Sequence, residues 1–373
     1  MKIAFVSTIL RYPWGGADTL WTRAAEAASA RGDTLFLSLS ALTAGHARIA
    51  ALRAAGAIIH LRTPEPAALS LNERVKRKLG LAAPSPEAKL IAALENFRPD
   101  LVVFSLGGTY DLLLCPRLTA WLRAGGVEFR VIINWQAEHP RLTAQDLNSS
   151  RETFAAARAL VFVSSRNLAV TRRHLLVQLP NSLVLHNPLR WQPADTSPWP
   201  VSTEVRLATV SRLDEGKGIH LLLHALAETG PKLPPWLLEI FGVGPQEAAL
   251  RATVAYLGLG DRVAFRGHVG ALRDLWKDNE LLCAPAIDDG VPMTIPEAML
   301  CERPVLSTCV GGAEDWIEHG RTGFLCPAAT MPLLSASLVE AFDARYRWPG
   351  IGRAAHESAS AHYRADDYLC LIN

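Results

Sequence analysis

The sequence predicts an α/β protein made of two doubly wound, parallel-sheet domains in tandem. Three observations carry that reading. Short, near-continuous apolar runs alternate with longer helical patterns over almost the whole chain, the mark of parallel strands covered on both faces. The alternation comes as two series, separated by a Pro-rich stretch without periodicity. The chain has 373 residues, more than one ordinary hydrophobic core supports.

In the first series, strands are expected at 3–7, 34–39, 58–61, 101–105, 129–134 and 160–163, with helical stretches such as 17–30 and 111–124 between them. The second series has strands at 205–210, 237–241, 263–265, 281–284, 304–307 and 323–326. Between the series, Asn187-Pro188-Leu189-Arg190-Trp191-Gln192-Pro193 and the residues to 200 are rich in turn formers, as interdomain linkers are. The expected organisation is a domain over 1–187, a linker over 188–203, a second domain over 204–350 and closing helices over 351–373. Ligands of such sheets sit beyond the carboxyl ends of the strands, so two of them are expected to face each other across a ligand cleft.

Composition narrows the function classes. Apolar residues make up 49% and charged residues 20%, with a formal net charge of +2, so bulk charge gives no reason to expect nucleic acid as partner. The apolar start stops at Arg11-Tyr12-Pro13, shorter than a signal-peptide core and far below the roughly 20 residues of a membrane span. The six cysteines contain no C-x-x-C pair; they read as reduced core thiols of a cytoplasmic protein, with no metal site expected.

Candidate functional residues follow the strands. Trp14-Gly15-Gly16-Ala17 links the first strand to a helix; glycines there either let backbone amides approach an anion or make a tight turn. In the second series, Ser211-Arg212-Leu213-Asp214-Glu215-Gly216-Lys217-Gly218 sets two cations around a glycine turn. A fork-shaped guanidinium and a compact ammonium suit a pyrophosphate, although Asp214 and Glu215 also offer surface pairing. Phe241-Gly242-Val243-Gly244-Pro245 is a further glycine turn. Then comes Asp289-Gly290-Val291-Pro292-Met293-Thr294-Ile295-Pro296-Glu297. Glu297 could accept two hydrogen bonds from a vicinal diol; equally, Thr294-x-x-Glu297 is a capping-box pattern.

Taken in order, Gly15-Gly16-Ala17, Ser211-Arg212-Leu213-x-x-x-Lys217-Gly218, Phe241-Gly242-x-Gly244-Pro245, Val263-Ala264-Phe265-Arg266-Gly267-His268-Val269 and Asp289-x7-Glu297-Ala298-Met299 resemble one large family. It is the retaining glycosyltransferases of GT-B fold, of the family 4 type (glycosyl transferases group 1). The stretches 304–315 and 319–325 resemble that family's C-terminal half, and the likeness is strong over 205–326. The resemblance implies two Rossmann-like domains, acceptor side first and nucleotide-sugar donor side second. Arg212 and Lys217 are implied to hold the donor pyrophosphate and stabilise the departing nucleotide, and Glu297 the ribose hydroxyls. Gly242, Gly267, His268 and Val269 are implied to edge the nucleotide. Asp289, Gly290, Val291, Pro292, Met293 and Thr294 are implied to touch the donor sugar, with Gly15 and Gly16 closing over it. Asp289 stands where the family usually has Glu, one methylene longer. His139 in Trp135-Gln136-Ala137-Glu138-His139-Pro140 comes several residues later than the family's sugar-facing histidine; Gln136 and Glu138 are rival candidates.

The implied reaction moves a sugar, in hexosyltransferase fashion (EC 2.4), from a nucleotide-diphosphate-sugar to a hydroxyl of a glycan, lipid-linked or small-molecule acceptor. Its setting is polysaccharide or glycoconjugate biosynthesis, and no cofactor or metal is required. A nucleotide-sugar epimerase of the same architecture and a non-catalytic nucleotide- or glycan-binding partner subunit are the alternatives. Ser105-Leu106-Gly107-Gly108-Thr109-Tyr110 is expected to line the acceptor side. Arg74, Lys76, Arg77 and Lys78, with apolar residues between, suit peripheral contact with anionic lipid at the inner face of a membrane, or a solvated helix. The residues from His362 to Asn373 resemble the family's last helix, which returns to the first domain.

Overall fold

The computed structural model describes residues 1–10, 14–63, 85–193, 196–270, 273–364 and 366–373. The basic cluster Arg74, Lys76, Arg77 and Lys78 lies outside them. The chain forms two compact units, Met1–Asn187 with Asp366–Asn373, and Pro188–Ala365.

The first unit holds a seven-stranded parallel sheet. Its strands are β1 (Lys2–Ser7), β2 (Thr34–Ser40), β3 (Ile58–Arg62), β4 (Leu101–Leu106), β5 (Glu128–Ile133), β6 (Ala159–Phe162) and β7 (Ser182–Val184). They lie in the order β3-β2-β1-β4-β5-β6-β7, the doubly wound arrangement that leaves a switch point between β1 and β4. There Ile3 faces Leu101 and Phe5 faces Val103. The helices are α1 (Gly16–Ala30), α2 (Ala47–Ala54), α3 (Pro86–Phe97), α4 (Pro116–Arg123), α5 (Ala144–Ala156) and α6 (Ser165–Leu175). The single helix expected over 111–124 is broken into a 3-10 turn, Asp111–Leu114, and α4. Pro116 is the cause: it disfavours the helical region for Cys115, which sits at φ −127, ψ 65.

The second unit repeats the plan with six parallel strands in the order β10-β9-β8-β11-β12-β13. They are β8 (Val205–Val210), β9 (Trp236–Phe241), β10 (Val263–Gly267), β11 (Leu281–Ala284), β12 (Val305–Thr308) and β13 (Phe324–Cys326). Its helices are α7 (Ile219–Thr229), α8 (Glu247–Tyr256), α9 (Thr294–Leu300), α10 (Ala313–Trp316), α11 (Met331–Asp343) and α12 (Trp348–His362). In α7, Ile219, Leu222, Leu223 and Leu226 recur at helical spacing and are buried. They share one core with Leu334 and Leu338 of α11 and with Leu207 and Leu238 of the sheet. Each such side chain contributes about 1.5–3 kcal/mol relative to exposure.

The Pro-rich stretch expected as a linker is held on the second unit. Fully buried Arg303 donates to the carbonyls of Asn279 (2.9 Å), Trp276 and Pro198, and its guanidinium lies 5.0 Å over the Trp199 ring. Leu189 and Trp191 pack into the core cluster that carries Ile295, Ala298 and Met299 of α9. At the other end, the chain changes unit after Ala365. Arg31 donates to the Ile372 carbonyl (3.1 Å) and Arg130 to those of Cys370 (2.6 Å) and Asn373 (2.7 Å), all in the first unit. Cys283, Cys301 and Cys326 are buried as expected, but Cys370 is exposed. No described helix is long and apolar enough to cross a membrane.

Candidate functional site

The switch point of the second sheet lies between β8 and β11, which pair in register at Leu207 and Leu281. The loops leaving these two strands carry Arg212, Lys217 and Asp289. After β8 the chain is pinned by its own backbone: the Ser211 amide donates to Phe241 (3.1 Å), the Leu213 amide to Val243 (3.0 Å), and the Leu213 side chain is fully buried. The amides of Ile287 (2.8 Å) and Asp288 (3.1 Å) both donate to the Gly216 carbonyl, tying the β11 loop onto the β8 loop.

Two glycines make these junctions possible. Gly218 has φ +63, and a Cβ there would stand 2.0 Å from the Pro285 carbonyl oxygen. Gly242 has φ +137, and a Cβ there would lie 1.8 Å from the Ser211 carbonyl oxygen; its amide donates to Gly267 (2.7 Å). The glycine turn after β9 therefore serves first to let backbones touch.

On this frame one charged pair bridges the two loops and another lies within the loop after β8. Lys217 Nζ lies 2.6 Å from Asp289 Oδ2, and Arg212 Nε donates to Asp214 Oδ2 at 2.6 Å. The side chain of Arg212 is 46% exposed and that of Lys217 24%. Gly290 accepts the Gly312 amide at 3.0 Å, so the loop after β12 joins the same assembly. Gly290, Val291, Met293 and Thr294 are half-buried and Pro292 is buried. At the end of β10, Gly267 is half-buried, His268 exposed and Val269 half-buried. Arg266 is turned to Glu239 (2.8 Å), whose other oxygen takes the Asn279 side-chain amide (2.9 Å).

Glu297 is the outlier. The helix α9 starts at Thr294, after Met293 as its cap residue, and has no side-chain cap. Glu297 is thus one position too deep for a capping box, and its own amide reaches Met293 at 3.3 Å. Its side chain is 3% exposed, and Oε1 has no hydrogen-bond partner. Burial pushes the carboxyl up to about 7, against the attraction of Arg190, whose Nε lies 3.4 Å from Oε1. The sequence reading gave Arg190 no role; its one signal was a charge between two apolar residues in the Pro-rich stretch.

The first unit closes its strand-end polar groups on one another. The Gly15 amide donates to Asp18 Oδ2 (3.0 Å), so this end of α1 (Gly15 exposed, Gly16 half-buried) already carries a carboxylate. Asp111 accepts the Thr8 hydroxyl (2.5 Å) and the Gly108 amide (3.0 Å). Gln136 is buried: Oε1 takes the Thr109 and Thr171 hydroxyls, and Nε2 reaches His174 Nδ1 at 3.1 Å. Glu138 pairs with Arg166 (2.7 Å) and Arg173 (3.2 Å), while His139 is exposed. Among the described residues, no group of three or more His, Cys, Asp or Glu side chains is placed to hold a metal ion.

Residues 204–343 match the family model described as Glycosyl transferases group 1. The chain is 28% identical over 167 residues to the UDP-N-acetylglucosamine–peptide N-acetylglucosaminyltransferase GtfA subunit of Streptococcus gordonii, covering 44% of this chain and 32% of that one. It is 28% identical over 160 residues to the lipopolysaccharide core biosynthesis mannosyltransferase LpcC of Rhizobium leguminosarum, covering 42% and 44%. Other curated relatives are spanned over 34–36% of their length. In structure, HepE of Anabaena, solved with UDP, matches with a TM-score of 0.74 at 19% identity, over 100% of this chain and 98% of that one. The two Rossmann-like domains are therefore those of a GT-B architecture, as the sequence led us to expect.

Proposed function

We propose that this protein is a glycosyltransferase that moves a sugar from a nucleoside-diphosphate sugar to a hydroxyl acceptor in polysaccharide or glycoconjugate biosynthesis, with retention at the anomeric carbon. The observation that carries the reading is Glu297: a buried carboxylate whose Oε1 accepts no hydrogen bond, on the helix that follows the loop bearing Asp289. Buried polar atoms without partners are rare in folded proteins. A ribose diol offers two O–H donors to such a carboxylate.

The cations fit the other end of the nucleotide. Each is paired with a carboxylate on the loops, Lys217 with Asp289 and Arg212 with Asp214. A pyrophosphate bound here takes over both cations and leaves Asp289 free to accept sugar hydroxyls. In the reaction the bond from the sugar C1 to phosphate oxygen breaks, and C1 bonds to the acceptor oxygen. The nucleoside diphosphate departs with the electron pair, and the acceptor proton leaves with it. Arg212 and Lys217 stabilise the negative charge that builds there, more in the transition state than before it. HepE, of the same fold, was solved with UDP, which favours uridine as the base.

A thermal-shift screen with UDP, GDP, ADP and TDP and their sugars tests the reading, since a ligand that binds the native state alone raises Tm. UDP is expected to give the largest shift. In the responding donor's transfer assay, Arg212→Ala is expected to lose about ten- to hundred-fold in rate, the loss of one charge-assisted contact. Unchanged turnover in that variant removes Arg212 from the mechanism, and silence toward every nucleotide removes the glycosyltransferase reading.

A further inference from the structure

We propose that Arg190 is a positioning residue of the nucleotide site, holding the Glu297 carboxylate charged and oriented for the diol. The inference rests on the diol role proposed for Glu297 and adds a regulator that the motifs do not contain.

Three features lead to it. The Arg190 guanidinium is the cation nearest Glu297, with Nε 3.4 Å from Oε1, and Oε1 has no hydrogen bond to share the charge. Second, Arg190 is held in place although its own side chain is 61% exposed. Its neighbours Leu189 and Trp191 pack into the cluster formed by Ile295, Ala298 and Met299 of α9, the helix that carries Glu297. The backbone on both sides of Arg190 is therefore fixed to the element bearing its partner. Third, the remaining groups around α9 are engaged elsewhere or bring no positive charge. On α12, His356 Nδ1 meets the Leu300 carbonyl at 2.8 Å. On β11 the Cys283 thiol is buried and pushed up to about 12 by that burial, and α10 carries Glu314 and Asp315. Among the described residues, no second cation lies within ion-pair distance of Glu297.

The physical consequence is direct. An opposite charge at this distance favours the ionised carboxylate, while burial favours the neutral acid. Remove Arg190 and burial acts alone. Glu297 then keeps its proton to higher pH, and a carboxylic acid accepts fewer diol hydrogen bonds than a carboxylate. Because Arg190 belongs to the stretch that opens the second unit, the sugar-nucleotide site reads the position of that stretch.

The test uses the full chain and two readouts. In protein labelled with 13C at glutamate carboxyls, the Glu297 signal, identified by its loss in Glu297→Gln, is followed from pH 5 to 9. Its midpoint is expected to move to more alkaline pH by about one unit in Arg190→Met and to return toward the parent value in Arg190→Lys. Calorimetric titration with UDP is then expected to show Arg190→Met about five-fold weaker at pH 7, with parental affinity regained at pH 9. A Glu297 midpoint that does not move in Arg190→Met overturns the proposal, as does an affinity loss that is the same at every pH. Failure of the parent protein to bind UDP, GDP, ADP or TDP overturns the nucleotide-site reading instead, and the carboxyl titration then still decides whether Arg190 sets the charge of Glu297.

Discussion

Each unit places carboxylates near the carboxyl ends of its strands, Asp18 and Glu297 buried and Asp111 half-buried, and the two units treat them in opposite ways. In the first, Asp18 takes the Gly15 amide and the Trp21 indole N–H (3.3 Å), and Asp111 takes Thr8 and Gly108. Burial raises both carboxyls, but their hydrogen bonds pull them back. In the second, Glu297 is buried with no hydrogen bond at Oε1 and one cation at 3.4 Å. The first pair closes loops; the third is spare. Two glycines in loops that follow strands, Gly15 and Gly242, also differ. A Cβ on Gly15 would meet nothing within 4 Å, whereas one on Gly242 would strike the Ser211 carbonyl. Glycine in a loop after a strand is a backbone junction at Gly242 and faces open space at Gly15.

The comparison breaks most visibly at Gly242. Gly242→Ala places a side chain at φ +137 against backbone, so strain and overpacking act together. The expected loss is about 3 kcal/mol or more, read by urea unfolding. A variant as stable as its parent shows that the Ser211 carbonyl can move aside and that the junction does not set the loop. Next in size is Gln136→Leu, which strips the Thr109 and Thr171 hydroxyls and His174 of a shared partner. Each hydroxyl keeps a backbone acceptor (Trp135 for Thr109, Asn167 for Thr171), so the cost is held to about 2 kcal/mol. No loss of stability in that variant places the closure of the first unit's loops elsewhere.

These contrasts also mark what the residues alone revealed. The strands were legible to within about two residues because parallel strands buried on both faces read as unbroken apolar runs. β7 escaped, since three edge residues, Ser182–Val184, make no run. The helix over 111–124 was overextended because its apolar pattern continues across Cys115–Pro116 while its backbone does not. Arg212, Lys217 and Asp289 could be picked out because each sits on a short loop after a strand, where spacing carries meaning. Arg190 could not be assigned, since its partner lies far along the chain and the contact depends on how Leu189 and Trp191 pack. The two readings of Thr294-x-x-Glu297 are identical locally. They part only because α9 begins at Thr294 itself.

Glu297→Gln sharpens the carboxylate comparison through pH. The folded carboxyl stands at about 7, above its ordinary 4.5. Below 4.5 both folded and unfolded chains hold the proton, and the buried acid adds its full stability. As pH rises through 7 the unfolded chain has already ionised, the folded state must follow, and that stability is lost. The glutamine variant has no such loss. It should match its parent near pH 4.5 and exceed it by roughly 3 kcal/mol at pH 8, measured by urea unfolding at both values. A parent whose stability relative to the variant is flat with pH means that Glu297 is charged throughout, paired more tightly than its 3.4 Å contact implies.

The smallest stability effect is expected at Gly15, and it is the more useful for being small. Gly15 sits in extended backbone at φ −146, ψ −174, before α1, a conformation open to any residue. Alanine is a slightly poorer helix cap than glycine, but it also narrows the unfolded ensemble, and these tenths of a kcal/mol oppose each other. Gly15→Ala should therefore stay within about 0.5 kcal/mol of its parent. With folding untouched, activity becomes a clean probe of close approach. If the glycine is there so that a donor sugar can lie against bare backbone, transfer should fall by at least about ten-fold, the factor that 1.4 kcal/mol of transition-state energy represents. Equal stability with equal turnover makes Gly15 a plain turn residue.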